Sequence, residues 1–209
     1  MADIKIWQMV LGMVGTNCYL LQNAETKEMI IVDPADSAQR IISAITGQEG
    51  HPAAILLTHG HFDHIMAAAE LRKEYNIPVY IHELDEEVLE DPRANLSGSW
   101  AASFSMKADH LVKEGDELDL AGFRIKVMHT PGHTKGSCCY YLPDEGILLS
   151  GDTLFCRSYG RVDFPPSSSQ DMVNSVRRLL EELPGETHVL PGHESDTTIE
   201  SEKRYNPLA

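Results

Sequence analysis

The sequence predicts a mixed α/β (α+β) fold in which two β-rich halves, each carrying helices, pack as a single domain over residues 1–209. Three observations predict it. Strand-like and helix-like segments alternate along the chain, a 42% apolar content in 209 residues suffices for a sizeable core, and no linker, repeat or low-complexity stretch divides it.

The elements follow in order. "DIKIWQMV", "NCYLLQN" and "EMIIVD" have the β-branched and aromatic content of strands, with Gly and Asn turn signals between them, so the chain opens with an antiparallel sheet. "DSAQRIISAIT" places Ile41, Ile42 and Ile45 on one helical face behind an Asp/Ser cap. "AAILLT" reads as a buried strand, "AAAELRKEY" resumes helical periodicity and "IPVYIHE" is a further strand. A short acidic helix and an irregular stretch rich in Ser, Ala and Gly come next; Asp91 to Asp109 is the segment expected to be a mobile loop. From Leu118 the strands return as "FRIKVMHT", "SCCYYL" and "GILLSGD". The helix "QDMVNSVRRLLEEL", the strand "THVLPG" and a short polar tail finish the chain.

Charge and composition narrow the function. The 32 acidic residues against 17 basic ones give a formal charge of −15, which disfavours nucleic acid and anionic membranes as partners. The N-terminus lacks the pattern of an export signal and no apolar run is long enough to span a bilayer, so a cytoplasmic location is expected. Cys18, Cys138, Cys139 and Cys156 show no C-x-x-C spacing and are read as small hydrophobes in a reducing compartment. Cys138 and Cys139 should point to opposite faces of one strand. No feature of the sequence specifies an oligomeric state.

The chemistry is concentrated in "LLTHGHFDHIMAA", where His59, His61, Asp63 and His64 crowd the end of an apolar strand. A loop leaving a strand end lets such side chains converge, and imidazole with carboxylate suits Zn²⁺ or Fe. Four residues cannot fill two catalytic metal shells. Further donors stand at other strand ends: His133 in "HTPGHTKGS", Asp152 in "LLSGDTLF" and His193 in "VLPGHES".

The order H-x-H-x-D-H, G-H-T, G-D, G-H resembles the metallo-β-lactamase superfamily over nearly the whole chain. That resemblance implies an αββα sandwich with a metal site at one edge, between two sheets. It assigns His59, His61 and His133 to a first metal, and Asp63, His64 and His193 to a second. Asp152 would bridge two divalent ions, Zn by preference with Fe or Mn as alternatives. His51, His82, His110, His129 and His188 match no motif position and are read as surface or structural residues.

Within the superfamily, "GDTLFCRSYGRVDF", "TNCYLL" and "GHESDTTIESEKRYNP" resemble the glyoxalase II group, especially its short single-domain members. The implied reaction is hydrolysis of small acyl-thioesters, S-lactoylglutathione among them, by a hydroxide shared between the two cations. Asp63 would be catalytic by orienting that hydroxide. True β-lactamases usually lack the bridging carboxylate, so antibiotic hydrolysis is not expected. Arg161 stands where the group has a glutathione-contacting lysine and is the expected substrate-binding cation. Asp163 and Ser195 replace tyrosines of the longer enzymes, whose basic C-terminal clamp has no counterpart here, so relaxed thiol specificity is implied. Lys203 and Arg204 could substitute for that clamp or be solvated surface. Persulfide dioxygenases also resemble the chain through Gly160 to Phe164, and that alternative would use one iron on His59, His133 and Asp152.

Overall fold

Strand β2 (Thr16–Asn23) is buried along its whole length, which requires cover on both faces of its sheet. The computed structural model, which describes residues 3–164 and 166–209, supplies that cover as an αββα sandwich. The first six-stranded sheet takes β1 (Ile4–Leu11), β2, β3 (Glu28–Val32), β4 (His51–Leu56), β5 (Val79–His82) and β6 (His110–Val112) in chain order. Pairing is antiparallel from β1 to β3, as expected, and parallel from β3 to β6.

The second half contributes β7 (Glu117–Leu120), β8 (Phe123–His129), β9 (Cys138–Leu142), β10 (Ile147–Gly151), β11 (Leu154–Phe155), β12 (Ser158–Tyr159), β13 (His188–Pro191) and β14 (Thr197–Thr198). Six of these form the second sheet, β14-β13-β10-β9-β8-β7; β11 and β12 make a separate ribbon. Antiparallel steps from β8 through β9 to β10 and a parallel step to β13 make β8, β10 and β13 run the same way. Their C-terminal ends, and the loops leaving them, therefore share one side of the sheet.

The period-2 alternation of strands separates three apolar cores. In β2, Cys18 and Leu20 join the core under helices α1 (Ala38–Gly47), α2 (Phe62–Ile65) and α3 (Ala68–Tyr75), to which Ile41, Ile45 and Leu71 contribute. Tyr19 and Leu21 face the middle core between the sheets with Ile30, Leu56, Phe123, Val127 and Tyr140. The third core packs Met128, Cys139, Leu148 and Val189 under Met172, Val176 and Leu179 of α6 (Ser169–Glu182), after the short α4 (Glu86–Glu90) and α5 (Ser97–Trp100). Cys138 lies in the middle core and Cys139 in the third, so the adjacent cysteines do face opposite ways. All four cysteines are free.

Two segments carry more structure than the sequence announces. The polar tail is structured: Thr197 and Thr198 pair with β13, and α7 (Ile199–Tyr205) follows with Ile199 and Glu202 buried. Its start is set by the Thr198 hydroxyl, which accepts the Ser201 N–H. The stretch Asp91 to Asp109 is irregular as expected, but it is tied internally: Asn95 Nδ2 donates to the Phe104 carbonyl at 2.9 Å, and Asn95 and Ser97 are fully buried. Among the described residues no helix is long and apolar enough to cross a membrane.

Candidate metal centre

The loops beyond β4, β8, β10 and β13 bring all seven expected donors together between the C-terminal ends of the two sheets. Three overlapping groups form, each with its donor atoms within 4.8 Å of one another: His59, His61 and His133; His59, His64 and Asp152; Asp63, His64 and His193. His61 Nδ1 and His133 Nε2 are 2.8 Å apart, so two ring lone pairs there need a proton or cation between them. Asp152 spans the cluster, with Oδ1 3.4 Å from His64 Nε2 and Oδ2 3.5 Å from His133 Nε2 and 3.6 Å from His193 Nε2. Asp63 Oδ2 approaches His193 Nε2 to 3.3 Å and His64 Nε2 to 3.6 Å.

The arrangement fits a pair of cations on the chemistry of its donors. His59 Nε2, His64 Nε2 and Asp152 Oδ1 are buried with no hydrogen-bond partner, and such orphaned polar atoms are costly unless something else binds them. Burial, with His64 and His133 beside it, keeps His59 neutral well below the usual histidine range, and burial with His133 brings His61 down to about 3. Both rings thus keep lone pairs for a metal. Burial opposes charge on His64 too, yet Asp63, Asp152 and Asp33 outweigh it and raise its pKa well above the ordinary value. Asp152 shows the reverse balance: burial disfavours its charge, but His64 and His133 hold the carboxyl well below the usual range.

A second layer orients these donors. Asp33, just past β3, accepts from His64 Nδ1 at 2.9 Å and from the Thr58 N–H and hydroxyl at 2.8 and 2.7 Å. The Arg161 carbonyl receives His133 Nδ1 at 2.8 Å, fixing that ring with Nε2 inward. Asn17 Nδ2 and the Tyr19 hydroxyl donate to the Pro191 carbonyl, and the Asn17 N–H to that of Gly192, so β2 pins the loop bearing His193. The Thr16 hydroxyl donates to Asp63 Oδ2 at 3.3 Å. Gly192 is demanded by close approach: a Cβ there would lie 2.8 Å from His64 Cε1 and against Asp152 Oδ1. Sequence reasoning passed over Asp33, although a carboxylate closing an apolar strand is the same signal that marked Asp152.

Above the donors opens a cleft of about 380 Å³, walled by Phe62, Leu96, Trp100, Phe155, Tyr159 and Phe164. Arg161 lines it, stacked on Phe164 at 4.0 Å and paired through two 2.6 Å bonds with Asp163. Lys203 and Arg204 do not line it; Lys203 bonds the Leu183 carbonyl and Arg204 pairs with Glu200. A wider depression of about 660 Å³ beside α3, lined by Arg72, Lys73 and Asp109, shares no residue with the histidine cluster.

The sandwich and its His/Asp cluster together define a metallo-hydrolase with a cluster suited to two ions. The chain belongs to the metallo-β-lactamase superfamily, whose profile matches residues 11–193. It is 33% identical to hydroxyacylglutathione hydrolase GloC of Haemophilus influenzae, over 92% of each chain. Among solved structures it is similar to the BLEG-1 B3 metallo-β-lactamase at 39% identity and TM-score 0.93, covering 98% of this chain and 99% of that one. TTHA1623 in a di-iron-bound form is similar at 34% identity and TM-score 0.86, with 97% and 100% covered.

Proposed function

We propose that this metallo-hydrolase holds two divalent cations and hydrolyses small acyl-thioesters. The observation that carries the reading is Asp152, whose two carboxylate oxygens reach both three-residue donor sets directly beneath an apolar cleft. His59, His61 and His133 would hold one ion, and Asp63, His64 and His193 the other. When bound, such a pair acidifies water toward neutral pKa and polarises a carbonyl.

The chain's own residues do the rest. The aromatic walls take the acyl group out of water and limit how it can present its carbonyl. Asp63, held by Thr16, is placed to accept a hydrogen bond from the attacking water and align it. A thiolate leaves readily and needs little protonation by the protein, which suits a thioester to a site whose chemistry rests on carbonyl polarisation. Arg161 is the proposed contact for a carboxylate on the thiol half. Its pairing with Asp163 is solvent-exposed and screened by water, so a substrate anion can compete for it. The likeness to GloC supports this choice of substrate. The single-iron oxygenase alternative would employ His59, His133 and Asp152 and leave the Asp63, His64 and His193 set without a role.

Metal analysis of purified protein, with parallel assays on an acyl-thioester panel, a chromogenic cephalosporin and oxygen uptake with a persulfide, tests the reading. Two ions per chain with oxygen-independent thioester turnover is expected. One iron with oxygen uptake, or cephalosporin turnover exceeding that of every thioester, would overturn it.

A further inference from the structure

Asp85 ends a 3₁₀ turn, Glu83–Asp85, that follows β5, and its side chain is fully buried while its neighbours in the acidic run are largely exposed. Among the described residues no lysine or arginine pairs with it. Instead its carboxylate gathers three donors: the Gly60 N–H at 2.8 Å, the Gly136 N–H at 2.8 Å and the Thr134 hydroxyl at 2.9 Å. Gly60 lies between His59 and His61, and Thr134 directly follows His133. One carboxylate therefore ties together the loops that carry a complete three-histidine set, although those loops leave different sheets.

The packing leaves these loops little freedom to shift. A Cβ at Gly136 would lie 2.5 Å from the Asp85 backbone nitrogen, and one at Gly60 would lie 3.0 Å from that of Leu89. The other donor set is braced by different residues, with Asp33 on His64, Thr16 on Asp63, and Asn17 and Tyr19 on the loop of His193. We propose that Asp85 is a positioning residue for the His59, His61 and His133 set, and so controls the affinity of one of two metal ions while leaving the other alone. The proposal rests on the dinuclear reading above.

Zn²⁺ titration of chelator-stripped, full-length protein against a chromophoric competitor tests it without recourse to activity. Asparagine at position 85 offers one acceptor oxygen and an NH₂ that cannot accept from a backbone N–H, so either the Gly60 or the Gly136 N–H loses its acceptor and the tie between the loops is weakened. Asp85→Asn is expected to weaken one equivalent about 10–100-fold, the range for residues that orient ligands, with the second equivalent unchanged. The loss should persist in a His193→Ala background and vanish in a His61→Ala background, where that set is already broken. Thr134→Val should weaken the same equivalent by a smaller factor and Thr134→Ser should restore it; this pair decides the matter if Asp85→Asn does not fold. Equal weakening of both equivalents, or unchanged titrations for Asp85→Asn or Thr134→Val, would overturn the proposal. Wild-type protein binding fewer than two equivalents would refute the dinuclear reading itself, whereas two equivalents indifferent to Asp85 would refute only the positioning role.

Discussion

Asp33→Asn separates the fold from the metal centre. The native carboxylate only accepts, which holds a proton of His64 on Nδ1 and makes Nε2, turned toward the cluster, the nitrogen an ion must take. In the variant the amide oxygen can keep the Thr58 N–H, while its NH₂ replaces the oxygen that receives His64 and the Thr58 hydroxyl. The hydroxyl can rotate to accept, and His64 can accept once Nδ1 gives up its proton and Nε2 keeps one facing Asp63 and Asp152, so the stripped protein remakes its hydrogen bonds. Only their charge assistance is lost, about 1–2 kcal/mol of folding stability. Asp33 itself has positive φ, which asparagine tolerates. Metal uptake is affected at least as much, because with Nδ1 accepting, the ring's one proton must sit on Nε2, where a ligand lone pair is needed. The affinity of the Asp63, His64 and His193 set should fall about 10–100-fold, or about 1.4–2.7 kcal/mol. Urea unfolding of stripped protein and chelator competition measure the two effects separately. Retention of both Zn²⁺ equivalents at native affinity, or a stability loss above about 4 kcal/mol, would refute the tautomer argument.

Three further outcomes are expected. Gly192→Ala drives a methyl group against Asp152 and His64, so metal content after dialysis should drop at least about tenfold at about 1–3 kcal/mol of overpacking strain; full metal retention would contradict the close approach. Tyr140→Phe removes a buried bond from the hydroxyl to the Leu57 carbonyl, 3.0 Å, at the root of the first ligand loop; the unfolding free energy from urea titration should fall by about 1 kcal/mol, and no change would discount that bond. His82, stacked on His129 at 4.3 Å, is pushed down to about 4 by burial and then by His129. The unfolded chain protonates this residue near pH 6.5, before the folded one does, so stability falls as pH drops from about 6.5 toward 4. His82→Phe in metal-loaded protein should flatten that fall between pH 7.5 and 5, measured as Tm; an unchanged slope would assign the acid sensitivity elsewhere.

The seven candidate ligands were legible because each polar residue stands directly beyond an apolar strand, and strand direction then carries them to one side. Tertiary hydrogen bonding was not legible. Asp33 reads as the last residue of "EMIIVD" until His64 and Thr58 are folded against it. Asp85 cannot be told from Glu83, Glu86 or Glu87 by spacing, since burial alone distinguishes it. The tail read as polar because Ile199 is its one fully buried apolar residue; Glu202 is buried through bonds to Thr197, Arg157 and Asn206 that exist only in the folded chain. The β11–β12 ribbon, with two residues per strand, is too short for any periodicity to announce.

Both donor sets draw on both sheets: His59 and His61 with His133, and Asp63 and His64 with His193. A cation seated in either is a rivet through the two halves of the chain. Molecules whose halves have docked out of register cannot seat it, so cation supply reaches into the folding equilibrium and favours the correctly assembled form. At a hundredfold excess of free ion over Kd that bias amounts to about 2.7 kcal/mol, a large share of the stability of an ordinary domain.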